Sequence, residues 1–192
     1  ELKAAKRPVI LCGSALRSTG YTEKFRELAK KIGIPVMAAT YNADLFANGD
    51  EAYFGNFGII GGRAGNFLMQ NADLVIGMGC RMTFRQIGFN YENFSPNSRR
   101  VVIDADEYEL KKPTLRIDLP IHTDIRNVID DLLAMDKIET GVENSWLEYA
   151  KTLRAKYPIY QEKFDNAPEG QVNPYYFAKQ LKNYMKDDSV IV

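Results

Sequence analysis

The sequence has few side chains that bind metals or act as nucleophiles: two cysteines and one histidine in 192 residues. A structural zinc site takes four cysteine or histidine ligands, so this chain cannot supply one. Cys12 and Cys80 both lie in apolar, strand-like surroundings, which predicts two buried free thiols in a reducing compartment. His122 has no neighbouring nucleophile along the chain, so no Ser-His-Asp or Cys-His centre is predicted.

An excess of charge of one sign and long apolar runs are also missing. Lys plus Arg and Asp plus Glu number 25 each, and this balance predicts no nucleic-acid partner. No apolar run approaches the roughly 20 residues that span a bilayer, so no membrane association is predicted. Residues 1–7 carry charge without a following apolar region, so no signal peptide is expected and the predicted location is cytoplasmic.

The sequence does contain the composition and the periodicity of an α/β protein. Apolar residues make up 45% and charged residues 26%, values typical of a folded domain with a sizeable core. Strands are predicted over residues 8–12, 34–39, 72–77, 99–104 and 115–118, and helices over residues 25–32, 63–70 and 125–133. This alternation predicts a parallel sheet with helices on both faces, a Rossmann-like α/β fold of the DHS-type nucleotide-binding kind, plus a helical C-terminal extension.

Local signals refine two of these elements. Residues 41–62 are rich in Gly, Asn and Asp and are too long for a simple connection, which predicts a functional or binding loop. The helix over residues 63–70 is expected to begin at the Gly61-Gly62 pair. The helix over residues 125–133 is expected to be capped by Thr123, with Asp124 in its first turn.

The last third of the sequence changes in character. Residues 146–157 have a helical pattern, a Pro/Gly/Asn-rich link follows, and Asn173 with Pro174 then marks the start of another helix. Residues 187–192 look like the opening of a parallel strand. We therefore expect three segments, a central nucleotide-binding-like domain (1–135), a helical linker (136–171) and the start of a following domain (172–192), so that the chain stops inside that domain.

The candidate ligand site is at the carboxyl ends of the predicted strands, where open α/β sheets bind their ligands. Small residues after the first and third strands allow phosphates to approach the backbone. Arg81 and Arg85 are suited to pair with a pyrophosphate, and Asp104 or Asp106 to accept hydrogen bonds from ribose hydroxyls. The alternative is that the glycines serve turns and the charged side chains form surface pairs.

Two familiar nucleotide-binding classes are disfavoured by the residues at these strand ends. Gly13 is followed by Ser, Ala, Leu, Arg and Ser, so the Gly-x-Gly-x-x-Gly fingerprint of NAD-dependent dehydrogenases is absent. The second strand ends in Ala-Ala-Thr and lacks the acidic residue of that class. The P-loop signature is missing as well. A sirtuin-like deacylase would require a zinc ribbon, which the cysteine count excludes.

Five segments in order resemble the middle domain of thiamine-diphosphate carboligases and decarboxylases, with acetolactate synthases as the nearest group. They are residues 7–13, 34–36, 58–61, 72–81 and 102–106. The resemblance runs from about residue 8 to residue 133. Residues 146–192 resemble the linker of that family and the opening of its pyrophosphate-binding domain.

The resemblance implies a function for the whole protein rather than for this segment. Members of the family have three α/β domains: the first carries a glutamate that activates thiamine, and the third carries a Gly-Asp-Gly…Asn motif for Mg²⁺ and diphosphate. Neither motif lies in this segment. The implied partners are the protein's own N- and C-terminal domains, in a homo-oligomer (dimer or tetramer). The implied reaction is decarboxylation of a 2-keto acid and transfer of the acyl carbanion equivalent.

In acetolactate synthases the middle domain also holds a FAD that takes no redox part. The positions that match that site are Gly13, Ser14, Thr40, Gly58, Gly61, Gly79, Arg81, Arg85, Asp104 and Asp124. The family has Arg-Phe-Asp-Asp-Arg where this chain has Arg-Met-Thr-Phe-Arg at residues 81–85, so both arginines remain and both aspartates are lost. This departure predicts weak or absent FAD, with an adenine nucleotide still tolerated. The alternative function is a non-catalytic nucleotide-binding or structural module of another Rossmann-like protein.

Overall fold

The sheet of this protein has six parallel strands in the order β3-β2-β1-β4-β5-β6. A computed structural model describes residues 1–47 and 49–190. The strands are β1 (Pro8–Cys12), β2 (Val36–Ala38), β3 (Tyr53–Asn56), β4 (Leu74–Met78), β5 (Arg99–Asp104) and β6 (Leu119–His122). The helices are α1 (Ala15–Ser18), α2 (Thr22–Ile32), α3 (Arg63–Asn71), α4 (Phe84–Ile87), α5 (Glu107–Lys111), α6 (Ile125–Ala134), α7 (Asn144–Lys156) and α8 (Pro174–Leu181). The predicted Rossmann-like fold class is confirmed.

Side chains that alternate along β1 enter two hydrophobic cores, one on each face of the sheet, as the pleat of a strand requires. Ile10 and Cys12 face the core beneath α2 and α6. Val9 and Leu11 face the core beneath α3 and α7. Both faces are covered by helices, so the central strands read as continuous apolar runs.

One predicted strand and one predicted loop are wrong. Residues 115–118 are bends and irregular structure, and the edge strand β6 begins only at Leu119. The stretch 41–62 was predicted as one long loop, but it contains β3, which pairs with β2. Its four residues include two that are half-buried, because β3 is the edge strand of the sheet and lacks the long apolar run of a central strand.

Two of the three predicted helix starts are confirmed, and the third has a different cap. α3 begins directly after Gly62, as predicted. α8 has Pro174 at its first position and the side chain of Asn173 accepts from the Tyr175 N–H at 2.9 Å, also as predicted. The cap of α6 is Asp124 and not Thr123, since the Asp124 carboxylate accepts from the Arg126 N–H at 2.9 Å.

The chain divides into two compact units, which we call the sheet unit (Glu1–Tyr157) and the C-terminal unit (Pro158–Val192). The sheet unit includes α7, where the indole Nε1 of buried Trp146 donates to the Pro8 carbonyl at 3.1 Å. α7 therefore belongs structurally to the sheet unit, although the predicted linker spans residues 136–171. The predicted functional boundaries at residues 135 and 171 stay a prediction.

The C-terminal unit consists of 3₁₀ turns and α8. None of its described residues is buried. A strand was predicted over residues 187–192, but residues 187–190 form a turn and irregular backbone, and residues 191–192 lie outside the described residues. Over the described residues of both units, none of the helices combines the length and the apolar character needed to cross a membrane.

Candidate functional site

The ends of β1 and β4 meet at the carboxyl edge of the sheet with no space between them. The Gly13 N–H donates to the Met78 carbonyl at 3.0 Å. A Cβ atom on Gly13 would lie 2.0 Å from the Gly79 carbonyl oxygen, and one on Gly79, whose φ is +55°, would lie 2.4 Å from the Ala15 Cβ. These two glycines, both predicted as site residues, are thus required by the contact between the strand ends themselves. Ser14 follows as the residue before α1 and is exposed.

The end of β2 places two buried polar atoms without partners at the same edge. Asn42 has 0% exposure, and its Nδ2 donates to the Gly13 carbonyl at 2.8 Å. Among the described residues, neither Asn42 Oδ1 nor Thr40 Oγ1 has a hydrogen-bond partner. An unsatisfied buried polar group costs about 1–3 kcal/mol, and because both atoms are closed off from solvent, they are a local cost of this strand end. Thr40 was predicted from the sequence, whereas Asn42 was missed.

The loop between β3 and α3 is fixed against the start of α4. Gly58 has φ +99°, and a Cβ there would lie 2.2 Å from the Arg85 carbonyl oxygen, which accepts from the Ile59 N–H at 2.7 Å. The Asn66 side chain accepts from the Gly58 N–H at 2.8 Å and donates to its carbonyl at 3.0 Å. Gly61 turns so tightly that a Cβ would lie 2.5 Å from the Phe57 carbonyl carbon. Gly58 and Gly61 therefore serve a rigid turn.

Arg85, in α4 after β4, contacts the segments that follow β2 and β3. Its carbonyl holds the β3–α3 loop, and its Nη1 donates to the Tyr41 hydroxyl at 2.9 Å. Tyr41 lies in the 3₁₀ turn after β2 and is 70% exposed. The guanidinium that was predicted to bind a pyrophosphate is thus already oriented by a protein hydroxyl, a contact that no sequence signal indicated.

Arg81 lies at the end of β4 and faces α5. Its Nε is 3.7 Å from Glu109 Oε1, and the side chain is 73% exposed. Lys112 Nζ donates to the backbone carbonyl of Arg81, to that of Met82 at 3.4 Å, and to Glu109 Oε2 at 3.0 Å. Arg81 therefore keeps most of its guanidinium available to solvent or to an anion.

The three predicted carboxylates all serve local structure. Asp104 accepts from the Asp106 N–H at 3.0 Å, and Asp106 in turn caps α5 through the Tyr108 N–H at 2.9 Å. Asp124 receives two bonds from the Arg126 guanidinium, at 3.0 and 2.8 Å, in addition to its cap contact. The Arg126 guanidinium, followed by the Arg126 N–H, lowers the pKa of Asp124.

The two thiols and the imidazole have structural surroundings: the thiols are buried, and the imidazole contacts a backbone carbonyl. Cys12 and Cys80 are buried and unpaired, as predicted. Burial raises the pKa of the Cys12 thiol far above its usual range and that of Cys80 to about 11, so both stay protonated and unreactive near neutral pH. The His122 Nε2 lies 3.1 Å from the Ala105 carbonyl oxygen.

Large apolar side chains surround this edge of the sheet. Tyr41, Ile59, Ile60, Phe84 and Phe89 are exposed by 70%, 57%, 65%, 44% and 75%. The rings of Phe84 and Phe89 are stacked with centroids 5.1 Å apart. Exposed rings and the exposed guanidinium groups of Arg81 and Arg85 are groups that bind a planar ring and an anion. Over residues 1–47 and 49–190, no three His, Cys, Asp or Glu side chains come together as a group that could hold a metal ion.

Comparison with known proteins places the chain among thiamine enzymes. The family model described as "Thiamine pyrophosphate enzyme, central domain" matches residues 1–132. A probable acetolactate synthase large subunit of Methanocaldococcus jannaschii is 32% identical over 184 residues, covering 95% of this chain and 30% of that protein. The acetolactate synthase large subunit of Lactococcus lactis subsp. lactis is 28% identical over 192 residues, covering 100% of this chain and 32% of that protein.

A third relative, an acetolactate synthase of Mycobacterium bovis, is 29% identical over 195 residues, covering 100% of this chain and 31% of that protein. The chain thus spans about a third of the length of the curated relatives it matches.

Proposed function

The chain belongs to the family of thiamine pyrophosphate enzyme central domains, and we propose that it works inside a longer, acetolactate synthase-like 2-keto acid decarboxylase or carboligase. The observation that carries this proposal is the family match over residues 1–132, together with relatives aligned over nearly the whole chain. In such a protein the partners of this domain are the protein's own N- and C-terminal domains, within a homo-oligomer.

The role proposed for the central domain itself is structural and not catalytic. Its two thiols are protonated near neutral pH, and its only histidine contacts a backbone carbonyl. Thiamine diphosphate acts as an electron sink during decarboxylation, and the described residues offer no carboxylate cluster for the Mg²⁺ that would hold its diphosphate. We therefore place the cofactor and the chemistry on the other domains.

A second part of the proposal is a weak adenine-nucleotide site at the carboxyl edge of the sheet. The exposed Arg81 guanidinium and the exposed rings of Tyr41, Phe84 and Phe89 support it. FAD is expected to bind more weakly still, because Arg85 already donates to Tyr41 and both family aspartates are missing.

One observation favours the alternative of a module that binds no nucleotide. The directions in which Cβ atoms of Gly13, Gly58 and Gly79 would point are filled by the protein's own atoms. Glycine at these positions is therefore explained without any phosphate near the backbone.

Calorimetry on the 192-residue chain separates these possibilities. Thiamine diphosphate with Mg²⁺ is expected to give no binding heat, and tight Mg²⁺-dependent binding would overturn the domain assignment. ADP is expected to bind weakly, and Arg81→Ala should reduce that binding while Arg116→Ala, which changes an arginine next to Asp118, should not. The absence of any ADP binding would favour the purely structural module.

The longer protein offers the test of the reaction. Purified with thiamine diphosphate and Mg²⁺, it is expected to release CO₂ from a 2-keto acid such as pyruvate. A yellow preparation with stoichiometric flavin would show that the lost aspartates do not matter for FAD. A full-length protein that turns over no 2-keto acid would contradict the proposed reaction.

A further inference from the structure

The face of the sheet beneath α6 contains an apolar cavity of about 400 Å³. The crossover from β5 to the edge strand β6 does not cover this face, because its Leu115 packs into the core on the other face, beneath α3 and α7. α6 then runs back and packs against α2 over the middle of the sheet. The part of this face over β5 and β6 is thus left partly open.

Residues 2–6 and 138–143 lie side by side and close one side of this cavity. We call these two segments the strap. The Gly141 N–H donates to the Leu2 carbonyl at 2.9 Å, and the Glu143 N–H donates to the Lys6 carbonyl at 3.0 Å. Gly141 is required at this crossing, since a Cβ there would lie 2.4 Å from the Lys3 carbonyl oxygen. Leu2 and Ile138 from the strap line the cavity.

The walls of the cavity are aliphatic. The sheet contributes Ile103 and Ile121, and α6 contributes Val128 and Leu132. Ile121, Val128 and Leu132 are only half-buried, so a ligand would contact them directly. Sites for small molecules measure roughly 300–1,000 Å³ and are predominantly apolar with few polar groups. Covering this apolar surface with an apolar molecule is favourable, because it removes the surface from water.

Of the charged side chains at the mouth of the cavity, one cationic side chain has no ion pair. Lys3 pairs with Glu139 at 2.6 Å, and Glu1 pairs with Arg99 at 2.7 Å. Lys137 also lines the cavity, and within residues 1–47 and 49–190 no carboxylate forms an ion pair with its ammonium group. The ammonium group of Lys137, an exposed side chain, is therefore available to pair with an anion.

We infer that this cavity binds an aliphatic monocarboxylate, with the hydrocarbon chain between α6 and the sheet and the carboxylate beside Lys137. Burial of the hydrocarbon chain supplies the affinity, because it removes apolar surface from water. Lys137 selects the anion. The site lies on a sheet face and not at the carboxyl edge, so it is independent of the proposed nucleotide site.

The test is an NMR titration of the methyl-labelled 192-residue chain with sodium octanoate and, separately, with 1-octanol, which has the same chain length and no charge. Both ligands should shift the methyl signals of Ile121, Val128 and Leu132. Lys137→Gln should weaken octanoate binding by about two- to fivefold, the range expected for one exposed charge pair, and leave octanol binding unchanged. Lys163→Gln, in the C-terminal unit, is the matched control and should change neither.

Val128→Trp is designed to fill the cavity and should abolish binding of both ligands. If that variant does not fold, the methyl shifts of the unaltered chain still decide the matter. The inference is overturned if octanoate at saturating concentration leaves these three methyl groups unshifted, if the shifts fall elsewhere, or if Lys137→Gln leaves octanoate affinity unchanged.

Discussion

In the sheet unit the helices bury one side against the sheet, whereas in the C-terminal unit no described residue is buried. Both units nevertheless contain a helix with a side-chain cap. α6 begins at Asp124 and α8 at Asn173, and each capping side chain accepts from a backbone N–H at 2.9 Å. The capping signals are therefore equivalent in the two units. The units differ in burial because of what packs against the apolar side of each helix.

Two pairs of residues make this difference concrete. In α6, Ile125 and Ile129 have exposures of 3% and 0%. In α8, Tyr175 and Phe177 remain 52% and 57% exposed, although Tyr175 stacks on Phe164 with ring centroids 4.8 Å apart. A helix gains most of its stability from tertiary packing of its apolar face, so the C-terminal unit is expected to be much less stable than the sheet unit.

Hydrogen exchange should show the largest contrast. The amides of β1 are expected to exchange only through global unfolding, which costs roughly 5–15 kcal/mol in a domain of ordinary stability. The amides of Phe177 and Leu181 are expected to exchange through local opening at a small fraction of that cost. Equal protection of the two sets in a native-state exchange experiment would show that the C-terminal unit has a core of its own or a strong docking site.

Replacing one phenylalanine in each unit by alanine should give the next-largest contrast, in the free energy of unfolding. Phe25 has 0% exposure, and Phe25→Ala should lower the free energy of unfolding by about 3–5 kcal/mol through lost burial and a cavity. Phe177→Ala, at a 57% exposed position, should change it by less than about 0.5 kcal/mol. Urea denaturation followed by circular dichroism measures both, and a large effect of Phe177→Ala would contradict the comparison.

Within the sheet unit, the contact between the ends of β1 and β4 should tolerate no side chain. Gly13→Ser would bring the new Cβ within 2.0 Å of the Gly79 carbonyl oxygen, which is too close for two unbonded atoms. The strand ends must therefore move apart, which should lower the free energy of unfolding by about 1–3 kcal/mol. Gly62→Ser is the control, because nothing lies within 4 Å of its Cβ direction and serine is a good N-cap. Thermal unfolding of the two variants gives the difference, and equal stabilities would refute the close contact.

The two helix caps offer a matched test of local against global stability. Asp124→Ala should lower the free energy of global unfolding by about 1 kcal/mol, since α6 is part of the cooperative core. Asn173→Ala removes an equivalent bond from α8 and should speed amide exchange there without moving the global urea midpoint. A shift of that midpoint by Asn173→Ala would mean that α8 unfolds together with the sheet.

Acid should have the smallest effect, through an aspartate in each unit that contacts a tyrosine and a lysine. Asp130 accepts from Lys24 Nζ at 2.6 Å and from the Tyr21 hydroxyl at 2.7 Å, and these bonds lower its pKa. In the C-terminal unit the Tyr160 hydroxyl and then Lys179 lower the pKa of Asp165. A lowered folded-state pKa means that the stabilisation is present above the unfolded value of about 4 and is lost as pH falls through the folded value.

We therefore expect both carboxyl groups to titrate below pH ~4 in a carbon-detected NMR experiment. Protonation of Asp130 should lower global stability slightly, and protonation of Asp165 should disturb only the signals of the C-terminal unit. Asp130→Asn should remove the global effect and leave the titration of Asp165 in place. A normal pKa for Asp130 would show that the lysine and tyrosine contacts do not form in solution.

The sequence by itself determined the fold class, the four inner strands β1, β2, β4 and β5, and the helix starts after Gly62 and Asn173. These features depend on short-range signals: apolar runs, helical periodicity, and capping residues whose partners lie two or three positions away. The resemblance to thiamine-enzyme middle domains was also readable from ordered segments, and the family match confirmed it.

Only the tertiary structure decided the edge strands and the character of the candidate site. β3 and β6 lack a strong apolar run, so their positions follow from pairing with β2 and β5. The Nδ2 of buried Asn42 donates to the carbonyl of Gly13, which is 29 residues away in sequence. Arg85 is held by Tyr41, 44 residues away. Such contacts join residues that are remote in sequence, and a hydrogen-bonding side chain selects its partner only once the chain has brought the candidates within about 3 Å.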